Sequence, residues 1–425
     1  MSVNFDITPA FAQRMDEKDP LRAFRDEFLF PQHDGRPVIY FTGNSLGLQP
    51  KGAAAALKQE LDDWARFGVE GHFQAKMPWY SYHEYFSESL ARLVGAKPTE
   101  VVAMNGLTTN LHLLLVSFYR PNGKRTKILC EERPFPSDTY AFNSQVEFHG
   151  LDPRTEVICM KPRAGEHTLR PEDIEERIDA LGDELALVCF GGVNFLTGQA
   201  FDMGTITEAA HQVGAVAGFD LAHAAGNLKM DLHDWNVDFA CWCSYKYLNS
   251  GPGSVAGAFV HERHHHEHLP RFAGWWGHDK GERFKMEAEF KPMASAEAWQ
   301  LSNAPVFSMA VHRAALDLFD RAGMDALRTK SVALTSYLEA VIDGVAADTG
   351  VDLEIITPRD VEERGCQLSV HAHGMGKGLF EKLTARGVVA DWREPNVLRM
   401  APVPLYNSFE DVYRFGVILG ECVKG

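Results

Sequence analysis

The chain has no long apolar run and little cysteine, and each shortage excludes a class of protein. No window reaches the ~18 uninterrupted apolar residues of a membrane-spanning helix. The seven Cys residues are odd in number and lie in apolar contexts such as Cys189 and Cys241. We therefore expect reduced thiols in the cytoplasm, not a disulfide framework. Residues 1–20 carry early acids and no apolar core, so we expect no signal peptide.

Positive charge is also scarce. With 42 Lys and Arg against 58 Asp and Glu, the formal net charge is −16. This balance argues against a nucleic-acid partner or an anionic membrane surface, although it leaves room for a local basic pocket that binds a small anion. Hydrophobic content of 45% is ordinary for a globular protein. A chain of 425 residues is long enough for two domains.

Strand-like and helical stretches alternate through the middle of the chain. The pattern predicts an α/β fold in which a mostly parallel, mixed sheet lies between helices. The predicted strands are 101–104, 128–130, 156–160, 186–190, 215–220, 239–244 and 255–260. Ligands of such sheets bind at the carboxyl ends of the strands, so polar residues that follow a strand are candidates for function.

The flanking segments are less regular. We predict a helix over 9–30 interrupted at Pro20, a strand at 38–41, a helix at 51–66 and an ordered active-site loop at 270–305. A long helix over 306–345 links to weaker strands and helices: 353–356, 366–371, 376–386, 388–390, 397–400 and a final helix. The predicted organisation is an N-terminal arm (1–40), a large domain (41–305) and a smaller C-terminal α+β domain (306–425).

Lys246 and Asp220 carry the strongest chemical indication. Lys246 follows an apolar, aromatic run, where burial depresses the pKa of an amine and frees a Schiff-base nucleophile. Asp220 ends an earlier apolar strand, and His223 lies three residues beyond it. A lysine anchor together with an acid that pairs with a pyridinium nitrogen is what pyridoxal 5′-phosphate (PLP) requires. The alternatives are a lysine snorkelling from a strand end and a helix-start histidine.

Two further segments follow strands. Residues 105–110 open a helix, where backbone N–H groups and the hydroxyls of Thr108 and Thr109 are suited to a phosphate; simple N-capping is the alternative. In the segment 135–138, the ring of Phe135 is suited to stacking on a planar cofactor, and Asp138 to bracing it or orienting a water. Pro-Ser-Asp is also ordinary turn chemistry.

Arg399 and a histidine-rich patch complete the candidates. Arg399 ends a predicted strand and is suited to bidentate capture of a carboxylate, or else to a surface salt bridge. We interpret the patch 261–268 as a solvated helix start or loop, since a zinc site needs fixed geometry and usually help from cysteine or an acid. We predict no metal site.

These segments together resemble the kynureninase family of the PLP fold-type-I superfamily, which is aminotransferase class V-like. The resemblance runs through nearly the whole chain and is most specific at 233–249 (HDWNVDFACWCSYKYLN). It is also carried by 41–48 (FTGNSLGL), 104–112 (MNGLTTNLH), 135–138 (FPSD) and 220–224 (DLAHA).

The resemblance implies a role for each matching position. Lys246 is implied as Schiff-base lysine and proton shuttle, Asp220 as partner of the pyridine nitrogen, and Tyr245 as a catalytic proton donor beside Asp138. The implied cofactor contacts are Leu107, Thr108, Phe135, Pro136, Ser137, Asp138, Asp220, His223, Tyr245, Lys246, Trp275 and Asn303. The implied substrate contacts are Arg399 for the α-carboxylate and His72, Ser45, Trp276 and Ser302 for the aryl end.

The implied reaction is hydrolysis of L-kynurenine, and of 3-hydroxy-L-kynurenine, to anthranilate or 3-hydroxyanthranilate and L-alanine. It proceeds by PLP-dependent Cβ–Cγ cleavage in tryptophan catabolism and NAD biosynthesis. A homodimer whose sites are shared between subunits is implied, with Trp275 and Asn303 from the partner. The sequence leaves open which of the two substrates is preferred.

The chain departs from the family pattern at Gly191, where some members have a hydroxyl residue. The O3′ side of the cofactor then falls to Asn194 or to water. Other fold-type-I activities compete with the main interpretation. An aminotransferase needs the same Lys and Asp, and a cysteine desulfurase needs a reactive loop cysteine, for which Cys366 is the candidate. A non-catalytic protein that binds a metal or a partner through 261–268 is a third class, and it leaves Lys246, Asp220 and Arg399 unexplained.

Overall fold

The computed structural model describes residues 5–424. The helices are α1 (Pro9–Lys18), α2 (Gly52–Phe67), α3 (Gly71–Gln74), α4 (Ser87–Val94), α5 (Leu107–Phe118), α6 (Pro136–Phe148), α7 (Pro153–Glu156), α8 (Pro171–Leu181), α9 (Met203–Gln212), α10 (Val306–Ala322), α11 (Met324–Thr349), α12 (Gly376–Thr384) and α13 (Phe409–Lys424).

The strands are short, and most lie in two sheets. They are β1 (Phe28–Leu29), β2 (Gln32–His33), β3 (Arg36–Pro37), β4 (Ile39–Tyr40), β5 (Gln49–Pro50), β6 (Val101–Ala103), β7 (Lys127–Glu131), β8 (Val157–Met160), β9 (Leu185–Gly191), β10 (Val216–Asp220), β11 (Phe239–Trp242), β12 (Gly257–Val260), β13 (Leu353–Ile355), β14 (Leu368–Ala372), β15 (Val388–Val389), β16 (Asp391–Arg393) and β17 (Val397–Met400).

The large sheet has seven strands in the order β6-β12-β11-β10-β9-β7-β8. The five strands from β8 to β11 run parallel, and β12 is antiparallel to both of its neighbours. Helices cover both faces, which is why strands such as β9 are apolar along nearly their whole length. All seven predicted strands are present, and the predicted mostly parallel mixed sheet is confirmed.

Parallel strands bring their carboxyl ends to one edge of the sheet. Glu131 is the last residue of β7, Asp220 is the last residue of β10, and Lys246 follows β11 by four residues. The register pairs Asp220 with Gly191, the last residue of β9. Residues far apart in sequence therefore meet at this edge.

The small sheet is antiparallel, in the order β13-β14-β17-β16. One face packs on α11, α12 and α13 around a separate apolar cluster. The N-terminal arm joins this cluster, because α1 packs on α13 and β4 pairs with β15. Helix α10 instead packs in the large core through Met309, Leu316 and Phe319. The predicted domain boundaries at residues 40 and 305 stay predictions. In the structure the N-terminal arm packs with the small sheet, and α10 packs with the large sheet.

Two predicted helices are wrong in extent. The helix over 9–30 ends at Lys18, and a separate 3₁₀ segment spans Arg22–Glu27. The helix over 306–345 breaks at Gly323, whose φ of +76° favours glycine and ends α10. The loop at 270–305 is irregular as predicted, with short 3₁₀ turns and one isolated bridge between His278 and Pro292. Among the helices of residues 5–424, none is both long and apolar enough to cross a membrane.

Candidate active site

Lys246 lies in an enclosed, largely aromatic setting. Its side chain is buried, and Nζ lies 3.2 Å from Nε2 of His223. The ammonium lies over two rings, 5.5 Å from the centroid of Phe135 and 5.9 Å from that of Tyr245. A buried amine with few polar partners is costly unless it serves a purpose, so this setting favours a reactive lysine over one that snorkels to solvent.

His223 is held neutral beside this amine. Burial, followed by the positive charges of Lys246 and Arg399, lowers the pKa of His223 well below its ordinary value. Its Nε2 faces the lysine, and within residues 5–424 its buried Nδ1 has no hydrogen-bond partner. A neutral imidazole carries one N–H and one acceptor nitrogen. With Nε2 as the acceptor, the Nδ1–H is free to donate to a bound molecule.

Asp220 and Asp138 form a buried acidic pair. Burial raises the pKa of Asp138 well above its ordinary value, and the charge of Asp220 adds to this. Burial also raises the pKa of Asp220, but the charge of Lys246 and a 2.7 Å hydrogen bond from the Ala222 N–H oppose the rise. Two carboxyl groups at such close quarters share a proton. Asp138 is the member that keeps it, which leaves Asp220 as the anion.

The N-terminus of α5 supplies donors for an anion. Leu107 is the first residue of this 12-residue helix, and no side chain caps the helix at Gly106. The N–H groups of its first turn therefore lack the partner that a capping side chain provides, and the helix dipole makes this end positive. Leu107 and Thr108 line the same cavity as Lys246. This favours phosphate binding over the N-capping alternative.

These groups surround one cavity. It is lined by Leu107, Thr108, Glu131, Phe135, Ser137, Asp138, Gly191, Val193, Phe195, Asp220, Ala222, His223, Tyr245 and Lys246. Two of its buried polar atoms, Asp138 Oδ1 and His223 Nδ1, lack partners within residues 5–424. An uncapped helix start, an amine, a carboxylate and an aromatic ring are the donor set that PLP requires, so the residues present fit this cofactor.

Nine of the twelve predicted cofactor contacts therefore line this cavity. Pro136 is the first residue of α6 and positions Ser137 and Asp138 in its opening turn. Ser45 is exposed in a turn whose Gly47 N–H donates to the Tyr245 carbonyl at 2.8 Å, which places this turn against the lysine segment.

Glu131 was missed by the sequence interpretation. Its side chain is buried, and it accepts a hydrogen bond from the Gly191 N–H at 3.1 Å. Burial raises its pKa to about 7. An acid that ends a buried strand is the same signal that identified Asp220, so the sequence offered a means of finding it.

Glu131 lies next to Gly191, the position at which the chain departs from the family pattern. A Cβ at Gly191 would lie 3.0 Å from Glu131 Oε1, so a side chain there is tightly restricted. The Asn194 side-chain oxygen accepts from the N–H groups of Leu196 and Thr197, both at 3.0 Å. Asn194 therefore organises its own turn, and Glu131 is the polar side chain that lies next to Gly191.

Arg399, on the small sheet, lies beside the cavity and contacts Phe195, one of its lining residues. Its side chain is 1% exposed and donates to Asp391 Oδ2 at 2.7 Å and to the Phe195 carbonyl. Its charge is one of those that lower the pKa of His223. Its Nε has no partner within residues 5–424. The surface salt-bridge alternative is wrong, because this guanidinium is buried next to the cavity.

Five predicted residues lie elsewhere, on a partly exposed aromatic surface. We define this aromatic surface by His72, Phe73, Tyr80, Trp275, Trp276, Phe284, Ser302 and Asn303. The Tyr80 ring contacts Phe73, Trp276 and Phe284 at centroid distances of 5.9, 5.5 and 5.7 Å. Within residues 5–424, His72, Trp275, Trp276, Ser302 and Asn303 do not line the lysine cavity of their own chain.

The histidine-rich patch is only partly solvated, which corrects the sequence interpretation. His261 and His265 are buried, whereas His266 and His268 are exposed. His264 binds Asp238 Oδ1 at 2.8 Å. These contacts give the patch a structural role at the end of β12.

Cys366, the candidate nucleophile of the desulfurase alternative, does not suit that role. Cys366 is fully buried, its N–H bonds to Asn227 Oδ1 at 2.9 Å, and burial raises its thiol pKa to about 12. A reactive cysteine needs a low pKa and access to solvent.

Comparisons with known proteins agree with this geometry. Residues 327–419 match the family model described as the kynureninase C-terminal domain. The kynureninase of Flavobacterium psychrophilum is 58% identical over 416 residues, which cover 98% of each chain. That of Myxococcus xanthus is 57% identical and covers 97% of this chain and 96% of its own.

Solved structures show the PLP fold-type-I architecture. A cysteine desulfurase from Thermococcus onnurineus has a TM-score of 0.76 at 17% identity and covers 97% of this chain and 98% of its own. At such low identity the likeness concerns the fold alone.

Proposed function

This chain belongs to the kynureninase family, and we propose that the cavity around Lys246 is where it hydrolyses L-kynurenine to anthranilate and L-alanine. The observation that carries this assignment is the contact of buried Lys246 with neutral His223 in a cavity closed by Asp220, Phe135 and the start of α5. An aminotransferase or desulfurase is not favoured, because relatives at this identity over the whole chain are kynureninases.

The cofactor is PLP. A related fold, a variant C–S lyase with a TM-score of 0.76, carries glycine covalently linked to PLP. We assign Lys246 as the covalent anchor, Asp220 as the partner of the pyridine nitrogen and Phe135 as the ring-stacking residue. The first turn of α5, with Leu107 and Thr108, would hold the phosphate. When bound, PLP supplies an electron sink that stabilises negative charge next to the substrate amine.

The chain's own residues then bind substrate and move protons. The fork of Arg399, oriented by Asp391, captures the α-carboxylate. The Lys246 amine would take and return the proton on the α-carbon. Asp138, neutral beside Asp220, braces the ring and orients the hydrolytic water. Tyr245 keeps its proton because burial raises its pKa, so it is available as the donor to the departing alanine fragment.

We also propose a homodimer with shared sites. Phe73, Trp275 and Phe284 are 61%, 45% and 59% exposed, and clustered exposed aromatic side chains mark an interface. The aromatic surface also carries five of the implied contacts that do not line the cavity of their own chain. A two-fold related partner would place this surface over the neighbouring cavity, where His72 and Asn303 are suited to bind the ring of kynurenine or 3-hydroxykynurenine.

Compartment and pathway follow the family. All seven cysteines are free, and the Cys130 and Cys159 thiols share a hydrogen bond, with their sulfurs 3.5 Å apart. Reduced thiols at that distance fit the cytoplasm. We place the enzyme there, in tryptophan catabolism and NAD biosynthesis.

The direct test is release of fluorescent anthranilate when purified protein meets L-kynurenine. Release that depends on Lys246 supports the proposal. A protein that binds PLP but turns over another amino acid would overturn it.

A further inference from the structure

Three histidines surround one carboxylate where the two domains meet. Nε2 of His167 lies 2.9 Å from Glu354 Oε1, and Nε2 of His373 lies 2.8 Å from Oε2. Nδ1 of His371 lies 3.6 Å from Oε2, too far for a hydrogen bond. We propose that His167, Glu354 and His371 form an inter-domain binding site for a divalent zinc-type metal ion, separate from the PLP cavity, with His373 holding the Glu354 carboxylate in place.

Topology explains why these residues meet. Glu354 of β13 pairs directly with His371 of β14 in the antiparallel register. His373 follows two residues later, in the turn just beyond the end of β14. His167 comes from the loop between β8 and α8 in the large domain. Two ligands are therefore fixed by one sheet, and the third is brought by the other domain.

The distances suit a tetrahedral ion. At zinc–ligand bonds of ~2.0–2.1 Å, tetrahedral ligand atoms lie ~3.3 Å apart. The nitrogen–oxygen distances from Glu354 to His167 and to His371, 2.9 and 3.6 Å, lie on either side of that value. Nitrogen or oxygen ligands from His167, Glu354 and His371 all lie within 4.8 Å of one another. An ion would take the place of the hydrogens that the imidazoles now share with the carboxylate.

The arrangement of the histidine rings also fits a shared metal ion. Two imidazoles on one tetrahedral zinc have centroids ~5 Å apart, from bond lengths of ~2.0–2.1 Å and the size of the ring. The His167 and His371 centroids are 5.2 Å apart, and the two rings are nearly perpendicular, at 88°. Imidazole and carboxylate ligands together suit Zn²⁺, Co²⁺ and Ni²⁺.

The cluster borders a functional part of the molecule. His167 and His371 line an inter-domain cleft of about 420 Å³ that reaches Glu131 in the cofactor cavity. On β14, Ser369 lies two residues before His371 and pairs with Arg399 of β17. Ser369 and Arg399 both contact the large domain, at the carbonyls of Leu196 and Phe195. A metal ion here would hold the sheet that carries Arg399 against the large domain.

The two other clusters of possible metal ligands support a metal site less well. Glu100, His233 and His261 also group together, but both Glu100 oxygens already accept backbone N–H groups, from Lys97 and Glu262, each at 2.8 Å. His83, Glu84 and Glu297 hold the Lys280 ammonium, with Nζ 2.8 Å from Glu84 and 2.9 Å from Glu297. In both places the oxygens that an ion needs are occupied.

The test is titration of the PLP-loaded enzyme with Co²⁺ and Zn²⁺ after treatment with a chelator. We expect one ion per chain, visible cobalt absorption of the intense four-coordinate type, and a higher melting temperature with Zn²⁺. His371→Ala and Glu354→Gln should each raise the Kd for Zn²⁺ at least ~10-fold, the usual cost of losing a ligand or its support. His266→Ala, an exposed histidine outside the cluster, should leave the Kd unchanged.

Unchanged Kd values in both cluster variants would overturn the site, and so would weak octahedral-type cobalt absorption. Metal-free His371→Ala should keep its wild-type melting temperature and PLP absorbance, which shows that it folds. Should that variant unfold, Glu354→Gln replaces one oxygen only and decides the question. Binding of Zn²⁺ that bleaches the PLP band equally in all variants would assign the metal to the cofactor and contradict the proposal.

Discussion

Nζ of Lys246 lies 3.2 Å from Nε2 of His223, and both groups are buried. This contact favours the neutral form of the His223 imidazole. A second positive charge next to the amine is unfavourable, so the imidazole stays neutral and accepts from the lysine through Nε2. The orientation of His223 thus determines which of its nitrogens faces a bound molecule.

The first prediction concerns this imidazole. Because burial, followed by the charge of Lys246, lowers its pKa well below the ordinary value, His223 should stay neutral across the pH range in which an ordinary histidine titrates. Ring nitrogen chemical shifts of labelled histidine, assigned with a His223→Gln variant, would measure this. A midpoint near the ordinary value would mean that the imidazole is not buried beside Lys246.

The second prediction concerns Glu131 and stability. Its folded pKa of about 7 lies above the ordinary value of 4.5. The folded state therefore binds the proton more tightly, and this contribution is complete below about pH 4.5 and lost as the pH rises through about 7. The total is on the order of 3 kcal/mol of unfolding free energy.

Glu131→Gln removes that ionisation but keeps an acceptor for the Gly191 N–H. Relative to wild type, the variant should gain stability as the pH rises from about 4.5 to about 7 and hold a constant difference above that. Urea unfolding at several pH values measures the difference. A difference that is the same at every pH would show that Glu131 does not titrate in this range.

The third prediction concerns Arg399. In Arg399→Lys the charge remains but the fork is lost, and Asp391 keeps only part of its pairing. Loss of a charge-assisted hydrogen bond costs about 1.5–3 kcal/mol, or roughly 10–100-fold. We expect that increase in KM for L-kynurenine with a smaller change in kcat. Arg386→Lys, which alters an exposed pair with Glu421, is the matched control. Equal loss in both variants would remove Arg399 from the substrate site.

The fourth prediction concerns the shared site. Lys246→Ala and Trp275→Ala chains should each be inactive alone. After the two are mixed and allowed to exchange subunits, half of the dimers are hybrids with one intact site, so activity should return to about a quarter of wild type. The double variant Lys246→Ala/Trp275→Ala, mixed with either parent, controls for simple dilution. No recovery, despite proven exchange, would mean that Trp275 serves the cavity of its own chain.

The sequence predicted the seven-strand sheet because buried parallel strands are short, apolar and separated by helices. It also predicted the residues at the edge of that sheet, since topology alone brings Asp220, Phe135 and Lys246 together. The break at Gly323 was missed because helical periodicity continues on both sides of it, although a C-terminal glycine is a recognised stop signal. The contact of Glu131 with Gly191 depends on strand order, which a single sequence does not state.

The positions of Trp275 and Asn303 show a different limit. They lie outside the cavity of their own chain, so no pattern along one chain says which subunit they serve. The cluster of His167 with His371 and His373 was not predicted either, because its members come from two domains and from strands with weak alternation.

The most direct test of the account is a paired measurement on purified protein: the PLP absorbance band, and anthranilate fluorescence after addition of L-kynurenine. Wild type should show both, and Lys246→Ala should lose the lysine-linked band and the anthranilate signal together. A wild-type enzyme that shows the band and consumes L-kynurenine without releasing anthranilate would contradict the assigned reaction. Anthranilate release that survives in Lys246→Ala would contradict the role of the lysine.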